Sequence, residues 1–198
     1  MKEKEAIMSA MKSLEIESDG INQLKSYLDE KPFMEAVHAL AKAERIATCA
    51  SGSSGFAAMK FSHSLNCIEL PAKFMAPSEA VHGGLGYLKK DDVVVMVSRG
   101  GKTVELLPII KACKEKEVIL IGVTENLSST LAQQSDIVLP LQIEKESDKF
   151  NVMATTSFIV TIALFDALLV ALMEVTGYKL EQFAKIHPGG AVGDLLNK

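Results

Sequence analysis

Two short segments of this chain combine glycine with hydroxyl side chains as an anion site requires. Ser51-Gly52-Ser53-Ser54-Gly55 follows an apolar run and precedes a helical stretch. Glycine lets backbone approach a ligand closely, serines donate hydrogen bonds, and a helix N-terminus offers free N–H groups with partial positive charge. Ser98-Arg99-Gly100-Gly101-Lys102-Thr103 repeats this chemistry after a second apolar run and adds two cations. Neither segment carries a nucleotide signature, since GxxxxGK[ST] and GxGxxG are both absent. Either segment alone reads as turn and N-cap chemistry. The pair, placed after alternate strands of one sheet, points to a phosphate cradle.

Other reactive groups gather where the backbone turns sharply. His82 lies in Pro77-Ser78-Glu79-Ala80-Val81-His82-Gly83-Gly84, and His187 in His187-Pro188-Gly189-Gly190. Loops on a rigid scaffold are where catalytic side chains collect, although a lone loop histidine is usually structural. His38 and His63 fall within helical stretches and read as ordinary surface or core residues. Glu146 sits in the charge run Glu144-Lys145-Glu146-Ser147-Asp148-Lys149, which by pattern alone is a solvated loop. Thr155-Thr156-Ser157 opens a long apolar stretch as capping hydroxyls or a second anion-binding helix end.

The elements that must hold these groups follow from periodicity. Residues 3–28 carry Ile7, Met11, Leu14, Ile21, Leu24 and Leu28 at three-, four- and seven-residue steps, which predicts a long amphipathic helix packed on another subunit or across the domain. A second helix is expected over 33–42, opened by Pro32. Short apolar runs at 45–50, 67–70, 92–97, 118–123 and 136–139 then alternate with helical stretches at 56–65, 104–116 and 129–134. Runs apolar on both faces and spaced by helices predict a parallel sheet covered on both sides, a three-layer α/β/α sandwich of five strands. In such a sheet the ligand lies outside the carboxyl ends of the strands, where strand order reverses.

Composition narrows the function. The chain has 198 residues, 48% of them apolar, and a formal net charge of −4. Its only arginines are Arg45 and Arg99, so a nucleic-acid partner is not expected. Cys49, Cys67 and Cys113 stand singly in apolar surroundings, read as reduced thiols of a cytoplasmic protein; no metal site is expected. The N-terminus lacks the apolar core of a secretion signal. Residues 154–173 nearly reach bilayer-spanning length, but Asp166 inside them costs about 2.5–3.5 kcal/mol on the insertion scale. A helix buried in the core or in a subunit interface is expected there, and no membrane partner.

On these motifs the sequence resembles the sugar isomerase (SIS) domain family, and within it the arabinose 5-phosphate isomerases. The most specific segments are Pro77-Ser78-Glu79-Ala80-Val81-His82-Gly83-Gly84-Leu85-Gly86, Thr155-Thr156-Ser157 and His187-Pro188-Gly189-Gly190-Ala191-Val192-Gly193. The resemblance implies one SIS domain over 1–198, with N-terminal helices over 1–43 and the α/β core and C-terminal helices over 44–198. It implies strand order 2-1-3-4-5, a homotetramer (or dimer) whose neighbouring subunits contribute histidines to each pocket, and no cofactor. The implied reaction interconverts ribulose 5-phosphate and arabinose 5-phosphate through an enediol. Mapped by motif, His82, Glu146 and His187 are the catalytic candidates. Ser51, Ser53, Ser54, Ser98, Arg99, Lys102, Thr103, Thr155 and Thr156 are the substrate-binding ones.

Two positions depart from the family pattern. Ser53 stands where the first loop commonly has lysine, and Lys102 where the second commonly has glutamate, while Glu105 keeps that motif's second glutamate. The alternatives are therefore a sensing module that binds a sugar phosphate without converting it, or an isomerase of another phosphosugar. No helix-turn-helix segment precedes the α/β unit, so a transcriptional role is not expected. The regulatory domain pair that many members carry after the SIS domain is also expected to be absent.

Overall fold

The computed structural model describes residues 2–196, so Met1, Asn197 and Lys198 of the expected domain span lie outside the described residues. Two helices come first, α1 (Lys2–Tyr27) and α2 (Glu30–Lys42), the second capped by the Asp29 side chain on Lys31 N at 3.0 Å. Strand β1 (Ile46–Cys49) and helix α3 (Gly52–Asn66) follow, then β2 (Ala72–Phe74) and the short α4 (Pro77–Ala80). β3 (Val93–Val97) leads through a 3₁₀ turn at Val104–Leu106 into α5 (Leu107–Glu115), then β4 (Ile119–Thr124), α6 (Thr130–Gln134) and β5 (Ile137–Pro140). Three helices close the described chain: α7 (Thr156–Thr176), α8 (Leu180–Ile186) and α9 (Gly190–Leu196).

All pairings are parallel and the order is β2-β1-β3-β4-β5, as the family resemblance implied. Alternation along β3 explains why there are three layers. Val93, Val95 and Val97 face a core shared with α1, α2, α3 and α7, whereas Val94 and Met96 face one shared with α5 and α6. Phe61 of α3 stacks on Phe165 of α7 with ring centroids 4.3 Å apart, fixing those two helices against each other. At the opposite edge Arg45 Nε reaches both oxygens of buried Asp92 at 3.1 Å, tying the starts of β1 and β3 together.

The structure corrects two boundaries that matter for the site. The second strand does not lie at 67–70; that segment turns the chain at the end of α3, with Glu69 in the left-handed region at φ 59°. β2 begins only after Pro71, whose carbonyl accepts from Ile46 N at 2.9 Å. Further, Gly52-Ser53-Ser54-Gly55 is not a loop before a helix but the first turn of α3 itself.

The two long helices divide their apolar faces between the core and solvent. Gly20 and Leu24 of α1 pack on α7, and a Cβ at Gly20 would stand 2.7 Å from Thr156 Cγ2, so the helices cross closely there. The N-terminal half of α1 projects with Ile7, Met11 and Leu14 each more than half exposed. α7 is long and apolar enough to span a bilayer by length and composition, and one face of it is buried through Val160, Leu164, Phe165, Leu168 and Leu172. Its Asp166 pairs with Lys60 of α3.

Candidate functional site

The carboxyl ends of β1 and β2 open on a cleft of about 870 Å³ whose walls are mostly apolar, from Phe56, Met59, Phe74, Val81, Val104 and Pro108. Ser51, Ser78 and Glu105 are its polar side chains. On the other face of the first turn of α3 lies a hollow of about 20 Å³, room for a single water, lined by Ser53, Ser54, Arg99, Ser157 and Thr161. The first turn of α3 therefore serves both spaces. Gly52, at φ 60°, makes the bend from β1 into the helix in a conformation that suits glycine. Ser51 is the cap residue, yet its hydroxyl makes no capping bond.

The loop after β3 is built from inside. Ser98 is buried; its Oγ lies 2.8 Å from Thr103 Oγ1 and accepts from Gly101 N at 3.1 Å. Gly101 is left-handed at φ 64°, and a Cβ there would stand 2.0 Å from Ser129 Oγ. Lys102 is exposed and makes no ion pair among the described residues.

Glu146 is the unexpected part of the site. Although it sits in a charge run, it is 2% exposed. Its oxygens accept from Arg99 Nη1 at 2.7 Å, Ser157 Oγ at 2.5 Å, Ser157 N and Thr155 N at 3.0 Å each, and Thr155 Oγ1 at 3.2 Å. Its own N–H donates to Asn151 Oδ1 at 2.7 Å. Burial by itself would raise its pKa; the Ser157 hydroxyl, the Ser157 and Thr155 N–H groups and the Arg99 guanidinium outweigh burial and hold the carboxyl below the ordinary carboxylate value. Glu146 thus serves as an anionic cap on α7, where two N–H groups and the helix dipole meet it.

The other expected residues are distributed unevenly. Arg99 lies between Glu146 and Glu125, its Nε donating to Glu125 Oε2 at 2.7 Å. Thr155 belongs to the Glu146 clamp, and also accepts from Ser147 N at 2.8 Å. Thr156 points elsewhere: it is buried against α1 and its hydroxyl has no partner among the described residues. His82 is exposed in the turn after α4, next to Val81 of the cleft wall. His187 follows α8, a short helix with α9 beyond it. Its ring stacks on Phe183 at 3.8 Å and its Nε2 stands 3.9 Å from Cys67 Sγ. Cys67 and Ser53 mark opposite ends of α3, about 20 Å apart at roughly 1.5 Å per residue. Within one chain, therefore, His187 is not brought to the cleft.

Sequence reasoning left two residues out of the site. Glu105 was noted only as part of a motif, yet it is the carboxylate among the cleft-lining residues. Ser157 was read only as a helix-opening hydroxyl, and it makes the shortest bond to Glu146. The apolar walls gave no signal, because Phe56, Met59 and Val104 look like core positions in a helical pattern.

The model of the SIS domain matches residues 39–171. The chain belongs to the SIS domain family. The arabinose 5-phosphate isomerase KdsD of Pseudomonas aeruginosa is 34% identical to this SIS chain over 190 residues, covering 96% of this chain and 58% of that protein. The arabinose 5-phosphate isomerase KpsF of Escherichia coli is 31% identical over 191 residues, again covering 96% of this chain and 58% of that protein. The chain thus spans little more than half the length of these relatives. Among solved structures, a candidate sugar-phosphate isomerase of Listeria monocytogenes superposes with a TM-score of 0.92 at 43% identity, over 96% of this chain and all of that one. An Escherichia coli CFT073 protein in complex with arabinose 5-phosphate superposes at 0.87 with 26% identity, over 95% of this chain and all of that one.

Proposed function

We propose that this SIS chain interconverts an aldose and a ketose phosphate of the arabinose 5-phosphate/ribulose 5-phosphate type through an enediol. The observation that carries the reading is the meeting of α3's first turn and the start of the 3₁₀ turn beside one cleft that holds a carboxylate, Glu105. The likeness to relatives named arabinose 5-phosphate isomerase supports the same reading.

In this reading Ser51, Ser53, Ser54, Ser98 and Thr103 hold the phosphate with the free N–H groups of α3's first turn, and Arg99 and Lys102 supply the cations that Ser53 lacks. A base must take the proton alpha to the carbonyl and return it to the neighbouring carbon. The sequence suggested Glu146. Its oxygens already accept five bonds in a locked anionic form, so the geometry favours Glu105 for the transfer. Glu146 instead fixes Arg99 and the start of α7. His82 and His187 serve ring opening and the carbonyl oxygen, with His187 coming from a neighbouring copy. The exposed apolar stripe of α1 and the outer face of α7, where Val170 is 59% exposed, are the surfaces for that homotetramer or dimer. The protein works in the cytoplasm without a cofactor.

Incubation with ribulose 5-phosphate in deuterated water tests the proposal. The expected result is the aldose with deuterium at C2. Binding of sugar phosphates without product or exchange, across a panel of pentose and hexose phosphates, would replace it with the sensing reading.

A further inference from the structure

Arg99 is held far more firmly than its exposure requires. The carbonyl oxygen of Arg99 accepts from Thr124 Oγ1 and from Glu125 N, both at 3.0 Å, and Ser98 N donates to Val123 O at 3.1 Å. Leu131 N donates to Gly101 O at 3.2 Å, and Ser129 fills the space where a Gly101 side chain would be. The segment from Thr124 to Ser129 therefore moulds the Ser98–Thr103 loop, although it lines neither the cleft nor the hollow. Within it Glu125 takes the guanidinium Nε–H at 2.7 Å, with side chains 42% (Arg99) and 33% (Glu125) exposed. An ion pair so exposed contributes little to stability. Its effect is on orientation: bonds at Nε on one side and Nη1 on another restrain the plane of the guanidinium. The Nη2 hydrogens have no partner among the described residues, and Arg99 lies beside Ser53 and Ser54 of α3's first turn, the three lining one hollow.

We infer that Glu125 is a positioning residue, which fixes the plane of the Arg99 guanidinium so that its free N–H groups meet the substrate's phosphate at the first turn of α3. The inference rests on the proposed phosphate site, not on turnover. It also opposes simple electrostatics. Removing a negative charge near a dianion should tighten binding, whereas losing a positioned fork should weaken it.

Glu125→Gln, Arg99→Lys and the double variant decide between these. The probes are inorganic phosphate and ribulose 5-phosphate, with affinity measured by titration calorimetry and kinetics wherever turnover occurs. Glu125→Gln is expected to weaken both ligands and raise KM about tenfold, with kcat within about twofold, and to have less than a twofold effect when Arg99 is already lysine. Glu125→Asp, folded by circular dichroism, is expected to recover part of the affinity and stands in if the glutamine variant does not fold. Unchanged or tighter binding in Glu125→Gln, or an equal loss in the Arg99→Lys background, would overturn the inference. Failure of the wild type to bind either probe would overturn it too. If the wild type binds but does not turn over, only the isomerase proposal fails, and the affinities still decide this one.

Discussion

Replacing Glu146 is the most direct test of the clamp that organises the site. Glu146→Ala removes the acceptor for Thr155 N and Ser157 N at a buried helix start, and leaves the Ser157 hydroxyl and Arg99 Nη1 without their partner. Each buried donor left unsatisfied costs about 1–3 kcal/mol. The neighbouring hollow can admit one water to satisfy part of this, so a net loss of about 3 kcal/mol is expected. For a chain of this size that lowers the melting temperature by about 6–12 °C. Glu146→Gln keeps the shape. Its amide NH₂ can face Ser157 Oγ, which is able to accept, but it faces Arg99 too and removes one charge-assisted bond of about 1.5–3 kcal/mol. The pH dependence is a second readout. A carboxyl held below its unfolded value, near 4.5, stabilises the fold above that pH, and loses the contribution as pH falls through the folded value. The gap between wild type and Glu146→Gln should therefore be full at pH 7 and narrow below about pH 4.5. Thermal and urea unfolding followed by circular dichroism at both pH values measure it. A melting temperature of Glu146→Ala within about 2 °C of wild type at pH 7, or a gap that does not change with pH, would refute the clamp.

The other predictions concern the cleft, the loop and the thiols. Glu105→Gln should lower kcat by about 10²–10⁴-fold with little change in folding, and equal loss of folding would show a structural role instead. Mixing Glu105→Gln with His187→Ala under subunit exchange should restore activity, because one hybrid site then has both native residues; no recovery would place His187 in its own chain's cleft. Gly101→Ala should cost at least about 2 kcal/mol, from the left-handed backbone and the contact with Ser129, and should weaken phosphate binding; an unchanged melting temperature would contradict the packing. Burial pushes the Cys49 and Cys113 thiols up to about 12, so an aromatic disulfide reagent at pH 8 should titrate half-buried Cys67 alone in the folded protein, and all three cysteines only after denaturation. Rapid reaction of three thiols under native conditions would contradict this.

The centre of the sheet was readable because β1, β3 and β4 are short apolar runs buried on both faces, a pattern that solvent-exposed segments do not mimic. Val93–Val97 and Ile119–Thr124 fell within a residue of their expected places. β2 was misplaced because Cys67, Ile68 and Leu70 are also apolar; Ile68 is buried at the end of α3 without strand pairing, and Tyr178 OH donates to Cys67 O at 2.9 Å. Glu146 marks the limit of pattern reading. In sequence it is one of several charges between lysines, and only the later Thr155 and Ser157 turn it inward. That relation spans Thr155 and Ser157, nine and eleven residues ahead, and has no periodicity. Hydroxyl-and-glycine segments point to anion chemistry from sequence alone, whereas the bond between Arg99 and Glu125 crosses 26 positions and leaves no local trace.

Helices normally fray from their first turn, because its N–H groups lack intrahelical acceptors and water reaches them easily. α7 is different. Its cap and second-residue amides end on the Glu146 carboxylate, which is itself fastened through Arg99 to the loop after β3. The amides of Thr155 and Ser157 should therefore exchange with solvent as slowly as those of the buried strands. Opening of this end then requires Arg99, Glu146 and α7 to separate together, so the loop after β3 and the molecule's longest apolar helix share one unfolding event.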